Sequence, residues 1–406
     1  MIEDNSLCTG CGLCAYKCPN EAISMIIDAD GYRKPSVNQS LCVRCGLCIK
    51  YCPQENTIPS NKIIEASFCY SINKDILRSS SSGGLFYLLS EFFINQGGKV
   101  CACRLDEKMT VEHKIFERIE ELHEFQGSKY VESSLSVVYS NIKENIENGF
   151  KVLFFGTACQ IAAVKSEIRN ENLYTVELLC HGVPGFGFFS RYIKHLEEKY
   201  DKKVKNIHFR NKRYAGWSCG AAIVVFFQDG TKKVIEGVKD PYYMAFINGI
   251  SLRESCYSCK YKQKKRISDL TIGDGWFFDR YYPNVNTKDG ASIFFVSSKK
   301  GEFLLNNIKS KISIYPIELS KSYEINKSLL HHAERTEKHS IFLDNYRENP
   351  NLFDTIYVCS PLKGLVTLFK RKVFYFMPFN IKKCFRLIRR LAIKSKTNKR
   401  ICDTLE

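Results

Sequence analysis

VLFFGTACQ at residues 152–160 and YTVELLCHGVPG at residues 174–185 share one grammar: a short apolar run, a turn carrying cysteine and glycine, then a helical pattern. Val152 to Phe155 and Tyr174 to Leu179 read as buried strands, short and rich in β-branched and aromatic side chains. The first turn opens a helix running to about Ile168, the second a helix beyond Gly185. Working back along the chain, Leu135 to Glu147 reads as a helix and Lys99 to Cys103 as a strand. Ser80-Ser81-Ser82-Gly83-Gly84 then opens an apolar helix that ends near Asn95. Alternating helix and strand predicts an α/β fold with a mostly parallel sheet. Ligands of such sheets collect beyond the carboxyl ends of the strands, where both cysteine-bearing turns lie.

Ahead of a short polar linker, Asn56 to Asn61, the chain changes character. CTGCGLCAYKCP at 8–19 is repeated as CVRCGLCIKYCP at 42–53, each a C-x2-C-x2-C-x3-C-P run. Three thiolates two residues apart wrap one face of a cubane, and Gly10, Gly12 and Gly46 let the backbone approach it. The run is similar to that of bacterial two-cluster ferredoxins, where the fourth cysteine of each run serves the other cluster. On that signature Cys8, Cys11, Cys14 and Cys52 hold one 4Fe-4S cluster, and Cys42, Cys45, Cys48 and Cys18 the second. A pair of zinc sites is the alternative, but zinc uses two separated C-x2-C pairs and has no need of the third close cysteine. Residues 1–58 thus read as an α+β dicluster ferredoxin module. Two such clusters make an electron wire and leave substrate chemistry to another centre.

Composition bounds the rest. The 406 residues are 44% hydrophobic and 25% charged, enough for two or three domains. The apolar runs Leu85 to Ile94, Ala221 to Phe227 and Ala291 to Val296 are too short to span a bilayer. Glu3, Asp4 and Cys8 leave no room for a leader's apolar core, so a cytoplasmic location is expected. In that reducing compartment the 19 cysteines should be ligands or catalytic thiols and not disulfides. Net charge is +17, yet Pro361 to Glu406 alone carry +11, so the basic character belongs to a tail and no nucleic-acid partner is expected. In that tail Phe374, Phe376 and Phe385 interleave with the basic residues and Pro378 divides the pattern into two short helices. Either a peripheral contact with an anionic membrane surface or a packed helix pair accounts for it.

Downstream, Cys256-Tyr257-Ser258-Cys259 precedes Arg266, Ser268-Asp269 and Ile272-Gly273-Asp274-Gly275-Trp276. With Cys159 and Cys180 this makes four cysteines able to close a site. Cys69, Cys101, Cys103, Cys219, Cys359, Cys384 and Cys402 read as small buried hydrophobes. Taken in order, Ser81 to Gly84, Gly156-Thr157-x-Cys159-Gln160, Cys180-His181-Gly182-Val183-Pro184 and Cys256-x-x-Cys259 through Gly273-Asp274 resemble the beta subunit of coenzyme F-420 hydrogenase/dehydrogenase, over about Ser67 to Phe295.

The resemblance implies a domain, here 67–330, that binds FAD and one further 4Fe-4S cluster held by Cys159, Cys180, Cys256 and Cys259. Residues 331–406 are then a helical, basic extension. For FAD it points to Ser80, Ser81, Ser82, Gly83 and Gly84 at a helix start, where free backbone N–H groups and the helix dipole suit phosphate, although a plain serine N-cap fits the same residues. Gly156 and Thr157 let the backbone near the cofactor. Lys129 is placed to stabilise an anionic reduced flavin and Tyr130 to pack on a ring. His181 is either a proton donor or a histidine bonded to its loop neighbours. The implied function is an iron-sulfur flavin-dependent oxidoreductase passing electrons between ferredoxin-type clusters and FAD for hydride transfer to or from an organic substrate, a deazaflavin or another. Its partner would be an electron-carrier protein or an oxidoreductase subunit. A non-catalytic electron-transfer or recruiting subunit at the membrane surface is the alternative.

Overall fold

The computed structural model describes residues 2, 6–217, 222–349 and 352–355. The expectations for the tail beyond Pro361 lie outside these residues. The N-terminal repeat is visible in the backbone: helices Leu13–Tyr16 and Leu47–Lys50 each follow a left-handed glycine, Gly12 at φ 75° and Gly46 at φ 76°. A Cβ at either position would be strained, and the reversal turns each chain back around its own cysteines. Between the repeats β1 (Ile23–Ile27) and β2 (Arg33–Val37) form an antiparallel hairpin.

The body is built on an eight-stranded sheet. Its strands are β3 (Glu65–Ser71), β4 (Lys99–Leu105), β5 (Val111–Phe116), β6 (Val152–Gly156), β7 (Leu173–Leu178), β11 (Leu270–Asp274), β12 (Ser292–Val296) and β13 (Ile312–Pro316). Between β7 and β11, strands β8 (Val204–His208), β9 (Ala222–Phe227) and β10 (Lys232–Glu236) form a separate antiparallel sheet. The large sheet has the order β13-β3-β12-β11-β7-β6-β4-β5, with β4, β6, β7 and β11 parallel to one another. Strand β3 shares their direction through two antiparallel steps, so five of the eight strands run one way. The flanks are antiparallel where the connections are short: Asp106 to Thr110 leaves room only for a hairpin between β4 and β5.

Strand β6 explains why its sequence is apolar throughout. Leu153 and Phe155 pack with the helices Leu85–Asn95 and Lys299–Ile308, and Val152 and Phe154 with the helices Val138–Glu147 and Ala158–Glu167. A strand covered on both faces loses the polar alternation of an exposed one. The smaller sheet closes a second core with the helices Phe186–Tyr200, Pro241–Ile247 and Glu337–Glu348, through Phe188, Tyr192, Tyr242 and Phe342. Among the described residues, no helix is long and apolar enough to cross a membrane.

The hairpin module lies against the body. Gly187 donates its N–H to Gly31 O at 2.9 Å, Tyr32 Oη reaches Leu252 O at 3.0 Å, and Arg347 pairs with Asp30 at 2.7 Å. The approach is so close that a Cβ on Gly185 would stand 2.3 Å from Gly31 O.

Candidate functional site

Cys8, Cys11, Cys14 and Cys52 line one pocket together with Thr9, Gly12 and Pro53. Cys18, Cys42, Cys45 and Cys48 line a second with Pro19 and Gly46. Backbone N–H groups already point at sulfur, Gly10 N to Cys8 Sγ and Ala22 N to Cys18 Sγ, both at 3.3 Å. The first set is inward, with Cys14 buried, whereas Cys45 of the second is exposed.

Beyond the ends of β6, β7 and the segment before β11, a third set gathers. The Cys159 thiol feels Cys259, Cys180 and Cys256 electrostatically, and Cys256 feels Cys180 and Cys259. Burial pushes Cys11 up to about 11 and Cys256 up to about 12, with neighbouring thiols adding to the rise. Such thiols stay protonated near neutral pH unless a bound cation takes the proton's place, which is the donor chemistry of a metal cluster. Among the described residues, no three His, Cys, Asp or Glu side chains close on a single ion. Cubane ligands sit at the corners of a larger body, wider apart than the four contacts of about 2.3 Å that one zinc requires.

Two tyrosines join the inner sets. Tyr139 donates to Cys11 O at 2.9 Å, and its hydroxyl is pushed up by burial and by Cys11, Cys14 and Cys159. Tyr261 reaches Pro53 O at 3.3 Å and is raised by burial and by Cys159, Cys11, Cys259 and Cys52.

The flavin candidates differ in how the fold engages them. Ser80 Oγ bonds Ile76 O and Ser82 Oγ bonds Ala291 O, each at 2.7 Å, while Gly83 N donates to Ser292 Oγ at 2.9 Å. These three hold the loop to its own helix and to β12. Ser81 instead accepts from Ser128 N at 3.1 Å, which brings the loop beside Lys129 and Tyr130. Gly84, at φ 94°, begins the helix Leu85–Asn95 without a side-chain cap, so the helix start suits an anion. Lys129 Nζ donates to Phe125 O at 2.8 Å and Gln126 O at 3.0 Å, and burial pushes it down to about 8. Tyr130 stacks on Phe246 at 4.4 Å, and His181 meets that ring edge-on at 5.6 Å. His181 Nε2 is buried without a hydrogen-bond partner. Gly156 and Thr157 serve the fold: a Cβ on Gly156 would meet Phe154 at 2.6 Å, and Thr157 forms a capping box with Gln160.

Residues 149–321 match the family model for the C terminus of the coenzyme F420 hydrogenase/dehydrogenase beta subunit, and residues 7–56 match the 4Fe-4S dicluster domain. Over residues 149–321 the chain is thus similar to the C terminus of that beta subunit. It is an iron-sulfur electron-transfer protein related to that subunit. A chain from a structure of the F420-reducing [NiFe] hydrogenase complex of Methanosarcina barkeri is 16% identical, over 74% of this chain and 91% of that one, with a TM-score of 0.43. No curated protein matches the sequence.

Within the family domain, the sequence reading missed a cluster that only the fold assembles. Arg210 Nη1 pairs with Asp274 Oδ2 at 2.6 Å, Trp217 Nε1 bonds Asp274 Oδ1 at 3.2 Å, and the Trp217 and Trp276 rings stack at 5.0 Å. Arg210 Nη2 is buried and unpartnered. Lys212 Nζ ties Ser82 O at 2.7 Å to Leu77 O and Asp289 O, each at 2.5 Å. Asp274 was legible within its Gly-Asp-Gly-Trp motif, but its partner stands 64 residues away.

A buried relay supports the cysteine loop from behind. His113 Nε2 donates to Phe155 O at 3.0 Å, Ser133 Oγ donates to His113 Nδ1 at 3.0 Å, and Gln160 Nε2 donates to Ser133 Oγ at 2.8 Å. Burial pushes His113 down from 6.5 to about 4. Between these values the unfolded chain binds the proton that the folded chain refuses, so stability falls as pH drops from 6.5 toward 4. At about 1.36 kcal/mol per unit the loss is on the order of 2 kcal/mol by pH 5. The thermal midpoint should therefore fall between pH 7 and pH 5, and His113→Gln should make that fall shallower, with His181, His208 and His339, which burial also pushes down, supplying the remainder; an equally steep variant would assign it elsewhere.

Proposed function

We propose that this protein is an iron-sulfur flavoprotein oxidoreductase with three four-cysteine cluster sites and one FAD site. The sites would be Cys8, Cys11, Cys14 and Cys52; Cys18, Cys42, Cys45 and Cys48; and Cys159, Cys180, Cys256 and Cys259. The observation that carries the reading is their succession: an outer set with Cys45 exposed, an inner set with Cys14 buried, and a third set sharing Tyr139 and Tyr261 with the inner one. Bound there, clusters would supply one-electron transfer and FAD the exchange of single electrons for a hydride on an organic substrate. Ser81 and the open helix start at Gly84 would hold phosphate, and Tyr130 would pack against the ring system. Lys129 would keep a positive charge beside it. His181, beside Cys180 and with a free ring nitrogen, would orient a polar group of a deazaflavin or another organic substrate. Iron, sulfide and flavin assays on anaerobically purified protein test the reading; a preparation with clusters and no flavin would leave an electron-transfer subunit.

The outer set also defines where electrons arrive. Leu41, Val43 and Ile49 are 47%, 65% and 47% exposed around Cys45, with Arg44 and Lys50 beside them. An apolar centre with basic flanks suits an acidic one-electron carrier protein. Replacing Val43 and Arg44 together with Glu should slow reduction by such a carrier at least about tenfold. Reduction by dithionite should be unchanged, and an equal loss with both reductants would mean the change damaged the cluster site.

A further inference from the structure

Between the inner pocket of the N-terminal module and the third cysteine set stands one fully buried guanidinium. Arg253 Nη1 donates to Cys8 O at 3.2 Å and Nη2 to Arg33 O at 2.9 Å, and Nη2 also pairs with Glu132 Oε2. Glu132 Oε1 accepts from Arg33 N and Phe186 N, each at 2.9 Å, so the carboxylate stitches the module to the body from the other side. Tyr32 lies under the guanidinium at 5.4 Å, and Ser255 Oγ adds a second donor to Cys8 O at 3.1 Å. The fit is tight: a Cβ on Gly10 would stand 2.7 Å from Arg253 Nη2. Arg253 is three residues from Cys256, and its charge acts on the thiols of both Cys8 and Cys256.

We propose that Arg253 is a positioning residue between two redox sites: it fixes the Cys8 loop against the Cys256 loop and, as a buried positive charge between them, favours the reduced state of both. The proposal rests on the reading that both cysteine sets hold clusters. The physical argument is simple. Reducing a thiolate-bound cluster adds negative charge, and a cation a few ångströms away in a medium of low dielectric stabilises that charge far more than one in water. The outer set, Cys18, Cys42, Cys45 and Cys48, has no such neighbour in its pocket lining apart from Arg44, which is exposed.

The test is a redox titration of the anaerobic full-length protein, followed by electron paramagnetic resonance, with iron content measured on each sample. Arg253→Gln should make reduction of the two inner clusters at least about tenfold less favourable, which is 59 mV for one electron, and leave the outer cluster unmoved. Because that variant strands Glu132 in the interior, the paired change Arg253→Gln with Glu132→Gln serves where the single one fails to fold, with a smaller shift in the same direction. Arg253→Lys, which keeps the charge and loses the fork, should retain potentials near wild type but weaken the magnetic coupling between the inner clusters. Full iron with unmoved inner potentials in the charge-removing variants would overturn the proposal, and so would an equal shift of all three clusters. Wild-type protein without a cluster at the Cys256 set would sink the cluster assignment first, and the iron count distinguishes that failure from the others.

Discussion

Replacing Cys256 and Cys259 together with serine is expected to lower bound iron from about 12 to about eight atoms per chain, one cubane's worth. The remaining eight should persist because the other two sites draw their thiols from the N-terminal repeat alone, on pockets lined by Cys8, Cys11, Cys14 and Cys52 and by Cys18, Cys42, Cys45 and Cys48. The substitution is mild in shape, and Cys256 and Cys259 sit in a segment anchored separately, Cys256 N to Arg253 O at 2.8 Å and Lys262 N to Cys259 O at 3.3 Å. Serine cannot replace the thiolate as a soft donor, so the loss should be complete at that site. Were the pair instead a zinc site, the double variant would lose zinc and keep all its iron. Retention of the full iron content without zinc would show that these cysteines bind neither. A fall well below eight would mean that the inner N-terminal site depends on the third, through Ser255, Arg253 and Tyr139, which all touch the Cys8–Cys11 loop.

How much of this could be read in the chain follows from the range of each interaction. The parallel centre of the sheet was legible because β6 and β7 are buried on every or nearly every residue and so spell continuous apolar runs. Strand β10 was not, since Lys232 to Glu236 lies almost wholly in solvent and shows no apolar face. The repeated cysteine run was legible because its logic is local. The Arg253–Glu132 pair was invisible because its partners are 121 residues apart and neither sits in a motif. Gly83 and Gly156 also carry a requirement that no local motif spells: each is needed where backbone meets a neighbouring strand or ring of the same sheet.

That last point decides how the flavin site must be tested. A charge placed at Gly83 would abolish flavin binding for the wrong reason, since its Cβ would lie 2.6 Å from Ser292 N and 2.7 Å from Cys69 O and would part β3 from β12. Ser81 is the informative position. Its hydroxyl accepts from Ser128 N at 3.1 Å, and an aspartate there can take over the same hydrogen bond, so Ser81→Asp should leave the fold and the iron content intact. What it adds is a negative charge at the uncapped start of the helix Leu85–Asn95, beside the space proposed for the pyrophosphate. Two like charges 4 Å apart repel by on the order of 1 kcal/mol in water and 4 kcal/mol at a partly buried surface, a loss of affinity between about fivefold and several hundredfold. The aspartate also competes with phosphate for the helix N–H groups, which pushes the outcome toward the larger figure. Flavin released from purified Ser81→Asp protein should therefore fall to a small fraction of wild type, whereas Ser81→Ala, which loses a hydrogen bond and gains no charge, should keep most of it. Equal flavin content in wild type and Ser81→Asp would move the phosphate site away from this helix. The basic pair Arg210 and Lys212 would then be the next place to look, because Lys212 holds the same loop through Ser82 O and Arg210 carries a buried donor with no partner.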